Sequence, residues 1–290
     1  MTFEPKFDIL PAAQQSLWPE LQPAAHIGHV LYGGTAIALR LGHRSSIDFD
    51  FFSDRPLDKD ALQFRLPFLQ RGQVLQDQPN TLTVSVPVIA DEPPVKLSFF
   101  GGLAFGRVGT PDLTRDGILQ VASLDDLLAH KLKVVLQRAE AKDYHDIAAI
   151  LEAGVPLDRG LAAARALYGH NFQPSESLKA LVYFEDGDLR TLPDTQKTSL
   201  IDAARSVRTL PLLPLIHPTL ALPVDIERTA AVIRDKIREI QEFKGLTYKK
   251  EELQKELVTL AKLAPPDIIA SLDKNQTKIL RAAMDRGISR

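Results

Sequence analysis

Two aspartates separated by one residue, Asp48 and Asp50, occupy a segment from 47 to 52 in which apolar and acidic side chains alternate. Residues two apart on a β-strand point to the same side, so both carboxylates would face the same way, with their roots about 6–7 Å apart. Mg²⁺ prefers oxygen ligands and commonly shares its site with substrate phosphates. Two such ions about 4 Å apart can hold the attacking and leaving oxygens of a phosphoryl transfer. The spacing predicts a site for Mg²⁺ or Mn²⁺ at this pair.

Gly33, Gly34 and Thr35 precede the aspartates and predict a phosphate-binding turn. The glycines let the backbone approach a ligand closely, and Thr35 can cap a helix over residues 36–41 that Gly42 ends. Free N–H groups at a helix start bind phosphate. Each element alone is more typical of an ordinary turn or of the solvated face of a strand. Their combination in this order favours phosphate and metal sites together.

Three cations farther along the chain, Lys131, Arg138 and Lys142, follow the spacing i, i+7 and i+11. A single helix with 100° per residue would place them within about 40° of one another. Such a stripe would suit a triphosphate, whose charge must be neutralised during transfer. The alternative is a solvated helix face stabilised by pairs such as Lys142 with Asp146.

The elements that must position these side chains follow from periodicity and turn residues. Strands are predicted at 29–32, 47–52, 73–78, 81–88 and 95–100, and helices at 36–41, 57–70, 127–137 and 142–152. Four prolines between 211 and 223 exclude a continuous helix there. Beyond them, two amphipathic helices are predicted from the apolar residues Ile226, Ile233, Ile237, Ile240, Leu253, Leu257 and Leu260.

Composition limits the classes of protein and of site. The 290 residues are 44% hydrophobic and 25% charged and contain no cysteine, which excludes disulfides, thiolate zinc sites and cysteine nucleophiles. The amino-terminal residues lack the pattern of a signal peptide, and no apolar run approaches the about 20 residues of a spanning helix. We therefore expect a soluble, cytoplasmic protein without membrane contact.

Both motifs resemble those of a known family. Gly33-Gly34-Thr35 followed by Gly42-His43-Arg44-x-Ser46-x-Asp48-x-Asp50-x-Phe52 resembles the first motif of the AbiEii/AbiGii nucleotidyltransferase toxins, which belong to the DNA polymerase β-like superfamily. The block from Asp126 to Lys131, then Arg138 and Lys142-Asp143-Tyr-His-Asp146-Ile147, resembles their helical motif. The resemblance covers about residues 25–155.

The resemblance implies an α+β fold with a polymerase β-like nucleotidyltransferase domain built on a mixed β-sheet. Composition and apolar spacing predict that a helical domain and a helical carboxyl-terminal tail follow it. On this interpretation residues 1–115 form the nucleotidyltransferase core and 116–210 the helical domain. Residues 211–224 form a proline-rich linker or an extended strap, and 225–290 form the tail.

The resemblance also implies an activity: Mg²⁺-dependent transfer of a nucleoside monophosphate from an NTP to an acceptor. The acceptor could be a tRNA 3′ end, and the protein could be the toxin of a toxin–antitoxin or phage-defence system with a cognate antitoxin. A protein adenylyltransferase and a nucleotide-binding module without turnover are the alternatives. The implied catalytic residues are Asp48 and Asp50, which also bind the metal, with Lys131 and Asp143. The implied nucleotide-binding residues are Gly33, Gly34, Thr35, Arg44, Ser46, Arg138 and Lys142.

One position departs from the superfamily pattern. The superfamily usually places a third carboxylate on a later strand, and the corresponding residue here is Ser98, with Lys96 beside it. A serine hydroxyl neither holds a metal as strongly nor acts as a general base at neutral pH. Either Asp143 or a substrate group takes that role, or this chain performs slower or different chemistry.

The tail carries a small positive charge. Residues 225–290 contain 14 Lys+Arg against 11 Asp+Glu, a net of +3, whereas the whole chain has a net charge of −2. One interpretation is that the tail packs back onto the nucleotidyltransferase body. The other is a semi-independent arm that holds the acceptor, with Lys249, Lys250 and Lys255 near phosphates.

Overall fold

The computed structural model of the chain describes residues 2–216 and 219–221, and in the last part of the chain residues 234, 236–243, 249–251, 253–255, 257–258 and 272–288. The chain divides into two units, Met1–Leu222 and Pro223–Arg290. The first unit combines the segments predicted as core and helical domain with most of the predicted linker. Helices from the predicted helical domain contact the core directly, which joins these segments in one unit.

The first unit is built on a mixed sheet. Within the described residues its eight strands are β1 (Thr2–Phe3), β2 (Val30–Tyr32), β3 (Asp48–Phe52), β4 (Gln73–Gln78), β5 (Thr81–Val86), β6 (Val95–Phe100), β7 (Asp112–Thr114) and β8 (Gln120–Val121). Their order across the sheet is β1-β7-β8-β2-β3-β6-β5-β4. The predicted strand at 95–100 is confirmed at both ends.

Two strands at the centre of the sheet carry the predicted metal site. β3 is antiparallel to β2 and parallel to β6. Phe49 and Phe51 of β3 are fully buried on one face, and Asp48 and Asp50 alternate with them on the other. Ile47 was expected on the apolar face, but it precedes the strand and is 63% exposed.

Helices cover the sheet and extend beyond it. They are α1 (Ala12–Leu17), α2 (Gln22–His26), α3 (Gly33–Leu41), α4 (Lys59–Arg65), α5 (Leu124–Val134), α6 (Ala141–Glu152), α7 (Leu157–Tyr168), α8 (Pro174–Leu181) and α9 (Asp194–Ser206). Short 3₁₀ helices lie at Phe7–Ile9, Trp18–Leu21, Pro67–Arg71, Gly169–Asn171 and Leu189–Thr191. α3 begins at Gly33 without a side-chain cap, so the prediction that Thr35 caps a helix starting at Ala36 is wrong. Gly42, with a φ of 69°, ends the helix as predicted.

The predicted stripe of three cations on one helix does not form. α5 ends at Val134 and α6 begins at Ala141, so Arg138 lies in the connection between two helices. The break is stabilised where the backbone N–H of Ala141 donates to Asp188 at 2.6 Å. It allows Arg138 to fold back onto Asp143 of the next helix, at 2.8 Å from Nε to Oδ2.

The end of the proline-rich segment packs on the first unit. The N–H of Ile216 donates to the carbonyl of Arg107 at 2.9 Å, and the N–H of Leu220 donates to Asp54 at 3.0 Å. The Leu220 side chain is fully buried. This segment therefore adds a strap to the first unit.

The second unit has an apolar cluster of its own. Its buried members are Ile237, Ile240, Leu257, Leu272, Leu280 and Ala283, and Leu253 packs against them. Four of the seven apolar residues predicted to mark tail helices therefore lie in one cluster; Ile226, Ile233 and Leu260 lie outside the described residues. None of the helices in the described ranges is long and apolar enough to cross a membrane.

A buried histidine in the first unit predicts a dependence of stability on pH. His29 is 5% exposed and packs edge-on against Phe99, with ring centroids 5.6 Å apart. Within the described residues neither ring nitrogen has a hydrogen-bond partner. Burial, with the charge of Arg55, lowers the pKa of His29 from 6.5 to about 4.

Between these two pH values the unfolded chain binds a proton that the folded chain does not. We therefore expect the free energy of unfolding to fall as the pH drops from 6.5 to about 4, by at most about 1.4 kcal/mol per pH unit for this group, and to lose no more below that range. A plot of the free energy of unfolding against pH, measured with denaturant across this range, should have a shallower slope in His29→Leu than in the native protein. The exposed His170→Leu should keep the native slope; equal slopes in all three proteins would contradict the assignment.

Candidate active site

One cavity of about 550 Å³ collects most of the predicted site residues. It is bounded by the start of α3, the strands β3 and β6, and α5 with the connection that follows it. The predicted residues on its lining are Gly33, Gly34, Arg44, Ser46, Asp48, Asp50, Lys131, Arg138 and Lys142. Thr35 and Asp143 are not on this lining, and both are buried.

Asp48 and Asp50 form a carboxylate pair on the strand wall of the cavity. The Asp48 side chain is 36% exposed, and Asp50 accepts a hydrogen bond from the side chain of Ser98 on the neighbouring strand. Burial raises the pKa of Asp50, and the negative charge of Asp48 raises it further. Two repelling carboxylates at the edge of a cavity are a suitable seat for a divalent cation.

The donor set fits Mg²⁺ or Mn²⁺ as a partner of a phosphate substrate. Among the described residues, no group of three or more histidines, aspartates or glutamates is arranged to hold a metal ion. Asp48 and Asp50 would therefore supply the protein ligands, and substrate and water oxygens the others. Mg²⁺ is typically bound in this way, through one or two carboxylates together with phosphates.

The two glycines are needed where the start of α3 meets the site. Gly33 has a φ of 74°, a conformation that side chains disfavour, and a Cβ there would collide with the Asp50 carboxylate. A Cβ on Gly34 would collide with the guanidinium of Arg44. No acidic side chain lies in the first turn of α3. The turn therefore brings bare backbone into the cavity, which is consistent with its predicted role as a phosphate seat.

Thr35 contacts protein groups instead of the cavity. Its hydroxyl lies 2.8 Å from Oγ of Ser46 and also donates to the backbone carbonyl of Asp48. Thr35 thus ties α3 to the start of β3 and fixes the first aspartate relative to the glycine turn. Its side chain does not reach the cavity, and phosphate binding by its backbone stays a prediction.

Lys131 is held between two buried carboxylates. Its Nζ lies 2.6 Å from Oδ1 of Asp143 and 2.6 Å from Oδ2 of Asp146, and the Lys131 side chain is 6% exposed. Lys131 lines the same cavity as Asp48 and Asp50, and its charge lowers the pKa of Asp50. Ion pairs on both sides therefore fix one cation at the inner wall of the cavity.

Asp143 positions cations and does not face the cavity. Its carboxylate is fully buried and contacts Lys131 and both Nε and Nη2 of Arg138, the latter two at 2.8 and 3.2 Å. Burial alone would raise the pKa of Asp143, but the hydrogen bond from Arg138 and the charge of Lys131 hold it below its ordinary value. In this position Asp143 does not replace the missing third carboxylate, so a positioning role is favoured over the predicted catalytic one.

Asp146 connects the two sequence motifs. It accepts hydrogen bonds from Nε2 of His43 at 2.7 Å and from Nε and Nη2 of Arg44 at 2.7 and 2.9 Å, in addition to its contact with Lys131. Burial alone would raise the pKa of Asp146, but these hydrogen bonds and the charge of Lys131 lower it far below its ordinary value. Asp146 of the second motif therefore fixes the positions of His43 and Arg44 in the first motif.

Comparison with known proteins agrees with this geometry. The family model described as "Nucleotidyl transferase AbiEii toxin, Type IV TA system" matches residues 21–214, which include every residue of the site. The chain belongs to the AbiEii family of nucleotidyltransferase toxins. Both the family resemblance and the α+β fold predicted from the sequence are thereby confirmed.

Two further proteins are similar to this AbiEii-family chain. An uncharacterized protein of Aquifex aeolicus (strain VF5) is 31% identical over 159 residues, which cover 54% of this chain and 73% of that protein. The crystal structure of a protein from H. pylori is 17% identical to this chain. The matched region covers 67% of this chain and 92% of the H. pylori chain, with a TM-score of 0.42.

The AbiEii-family site also has an apolar end that the sequence did not reveal. Phe52, Phe100, His130 and Val134 line the cavity there, with the exposed Gln137 at its margin. The Nδ1 of His130 lies 3.0 Å from the hydroxyl of Tyr168. Burial lowers the pKa of His130 to about 4, so its ring is neutral near pH 7. Phe52 and His130 belong to two different motifs, and Phe100 lies on a third element, so only the folded chain brings them together.

Proposed function

We propose that this AbiEii-family nucleotidyltransferase transfers a nucleoside monophosphate from an NTP to a hydroxyl group of tRNA. The acceptor hydroxyl loses its proton to water, and its oxygen forms a bond to the α-phosphorus. The bond from the α-phosphorus to the bridging β-phosphate oxygen breaks, and pyrophosphate leaves. The observation that supports this best is the cavity itself, because it combines a carboxylate pair with five basic side chains, those of Arg44, Lys96, Lys131, Arg138 and Lys142.

In this proposal Asp48 and Asp50 hold Mg²⁺ or Mn²⁺, which when bound polarises phosphate oxygens and offsets their charge. The first turn of α3 seats phosphates through its backbone. Lys131 and Arg138, fixed by Asp143, neutralise the charge that develops on the leaving pyrophosphate. Lys142 is half-exposed and pairs with Glu140 at 2.7 Å, which places it at the rim of the cavity. The apolar end accommodates the nucleoside.

The proposed biological role follows from the family. Transfer to a tRNA 3′ end would block translation, so the protein would act as the toxin of a toxin–antitoxin or phage-defence system in the cytoplasm. A separate antitoxin would then be its partner, and co-expression of that protein should restore growth. Because the family is described as part of a type IV toxin–antitoxin system, a partner of this kind is expected.

A basic surface in the second unit favours RNA over protein as the acceptor. Lys274, Lys278 and Arg281 follow one face of the helix Lys274–Ile288 at i, i+4 and i+7 and line a concavity of about 510 Å³. In the part of the chain that the structure describes, no carboxylate pairs with these three side chains. Unpaired cations on one helix face suit a phosphate backbone. The predicted roles of Lys249, Lys250 and Lys255 in phosphate binding stay predictions.

Neutralising this basic surface should weaken acceptor binding. The triple variant Lys274→Gln, Lys278→Gln and Arg281→Gln should bind tRNA less tightly. The slope of the logarithm of its binding constant against the logarithm of salt concentration should become shallower by about two to three, about one for each lost phosphate contact. Filter binding at several salt concentrations measures both quantities. A matched triple variant on the first unit, Lys179→Gln, Arg190→Gln and Arg205→Gln, should change neither. A native slope in the first variant would rule out this surface as the acceptor site.

The proposed reaction is tested by incubating the protein and Mg²⁺ with each of the four α-³²P-labelled NTPs, once with purified tRNA and once with a total protein extract. We expect label on tRNA with at least one NTP. Label on a protein band alone would support the protein adenylyltransferase instead. If NTPs raise the melting temperature but no acceptor is labelled with Mg²⁺ or Mn²⁺, the protein binds nucleotide without turnover.

A further inference from the structure

Lys96 lies against the carboxylate pair on the strand wall of the cavity. In the parallel pairing of β3 with β6, Lys96 is opposite Asp48 and Ser98 is opposite Asp50. The Nζ of Lys96 is 3.3 Å from Oδ2 of Asp48, and the two side chains are 44% and 36% exposed. Lys96 also lines the cavity. Its ammonium group is therefore accessible to a ligand that binds beside Asp48.

Lys96 differs from the other basic side chains of the cavity in what it pairs with. Arg44 and Lys131 contact Asp146, Arg138 contacts Asp143, and Lys142 contacts Glu140. All three of those acids lie outside the carboxylate pair. Among the described basic residues lining the cavity, Lys96 is the one whose ion pair is with Asp48 itself. It therefore competes with any cation that Asp48 binds.

The donor set of the strand wall is too small for two divalent ions. A pair of ions about 4 Å apart generally shares several carboxylates. Within the described part of the chain, Asp48 and Asp50 are the acids on the cavity lining, and the neighbouring positions on β6 are occupied by Lys96 and Ser98. The ammonium group of Lys96 is thus already present where a second divalent ion would need a further carboxylate ligand.

We infer that Lys96 supplies the second positive charge of the site, so that the protein works with one divalent ion and one lysine. With substrate bound, the Lys96 ammonium donates to a phosphate oxygen of the NTP beside Asp48 and reduces the negative charge there. This inference rests on the proposed function, because it takes the same carboxylate pair as the metal seat.

The inference predicts two opposite effects of Lys96→Met, which removes the charge and keeps much of the side-chain length. Mn²⁺ should bind the free protein about five- to tenfold more tightly, because the competing cation 3.3 Å from Asp48 is gone. Nucleotidyl transfer at saturating Mn²⁺ should nevertheless fall by about 100-fold, the size of effect typical of losing one preorganised charge donor. A purely structural role of Lys96 would not tighten metal binding.

The test is a titration of the native protein and of Lys96→Met with Mn²⁺, in which electron paramagnetic resonance reports the free ion. The titration is repeated with a non-hydrolysable NTP analogue to give the number of ions per chain. Lys59→Met is the matched control, because Lys59 also pairs with an aspartate, Asp77 on β4, and does not line the cavity. It should leave both affinity and stoichiometry unchanged.

One Mn²⁺ per native chain, with tighter binding and slower transfer in Lys96→Met, is the expected result. Lys96→Asp, which adds a third carboxylate at a half-exposed position, should bind a second Mn²⁺ in the presence of the analogue. Two ions on the native protein, or an unchanged Mn²⁺ affinity in Lys96→Met, would overturn the inference and leave the proposed function standing. A native protein that binds no Mn²⁺ would overturn both.

Discussion

Asp50→Asn should abolish nucleotidyl transfer and leave the fold intact. Loss of one of two carboxylates that hold the metal removes several kcal/mol of charge stabilisation, so the rate should fall by about a thousandfold or more. The folded state of Asp50→Asn should nevertheless be at least as stable as that of the native protein. The pKa of Asp50 is raised by burial and by the charge of Asp48, so a neutral amide relieves an unfavourable interaction in the folded state. The melting temperature should be unchanged or higher.

Transfer assays and thermal unfolding on the same preparation distinguish a functional carboxylate from a structural one. Asp77→Asn is the control, because Asp77 is an exposed aspartate on β4 whose partner is Lys59. It should keep full activity. An inactive Asp50→Asn with a strongly lowered melting temperature would mean that Asp50 serves the fold. Retained toxicity in cells that express Asp50→Asn would reject catalysis at this pair.

Asp146→Asn should have the largest effect on stability of any single substitution in the site. Its carboxylate has no exposed surface and is surrounded by Arg44, His43 and Lys131. Removing one partner from a buried ion pair commonly costs about 3–5 kcal/mol, because the remaining charges stay buried without compensation. Transfer should fall as well, because Lys131 and Arg44 lose the group that positions them. Denaturant unfolding at pH 7 measures the loss.

The stability that Asp146 contributes should decrease at acidic pH. The folded-state pKa of Asp146 is lowered from 3.8, so its stabilisation is fully present above pH 3.8 and is lost as the pH falls through the folded-state value. The difference between the native protein and Asp146→Asn should therefore be constant near neutral pH and shrink in acid. Asp125→Asn removes a half-exposed pair with Arg159 at 2.7 Å and should cost less than about 1 kcal/mol. Equal losses in both variants would contradict a special role for Asp146.

The sequence was most informative where local pattern decides structure. Alternation of apolar and acidic residues located β3 and the shared face of Asp48 and Asp50, and the helix predicted over 127–137 forms as α5, three residues earlier in the chain. Ser123 caps that helix, with Oγ accepting from the N–H of Asp126 at 3.1 Å. Such signals depend on residues within a few positions of one another, so they can be interpreted without tertiary contacts.

The sequence was least informative where the site depends on contacts between distant segments. The connection from 135 to 140 contains neither glycine nor proline, and its break is stabilised by Asp188, about 50 residues away in the chain. The same holds for Lys96 beside Asp48 and for Asp146 beside Arg44, which are joined by sheet register and helix packing. Thr35 matched the motif of a phosphate seat, yet its hydroxyl is used to fasten α3 to β3.

In the proposed reaction the α-phosphate of an NTP, with its nucleoside, is transferred to an acceptor at the cavity that contains Asp48 and Asp50. The most direct measurement compares the same NTP labelled with ³²P at the α- or at the γ-phosphate, using native protein, Mg²⁺ and tRNA. We expect that α-label becomes attached to tRNA, that γ-label is released as pyrophosphate, and that Asp50→Asn transfers neither. Label from the γ-phosphate on the acceptor, or α-label transferred equally well by Asp50→Asn, would contradict the proposed reaction.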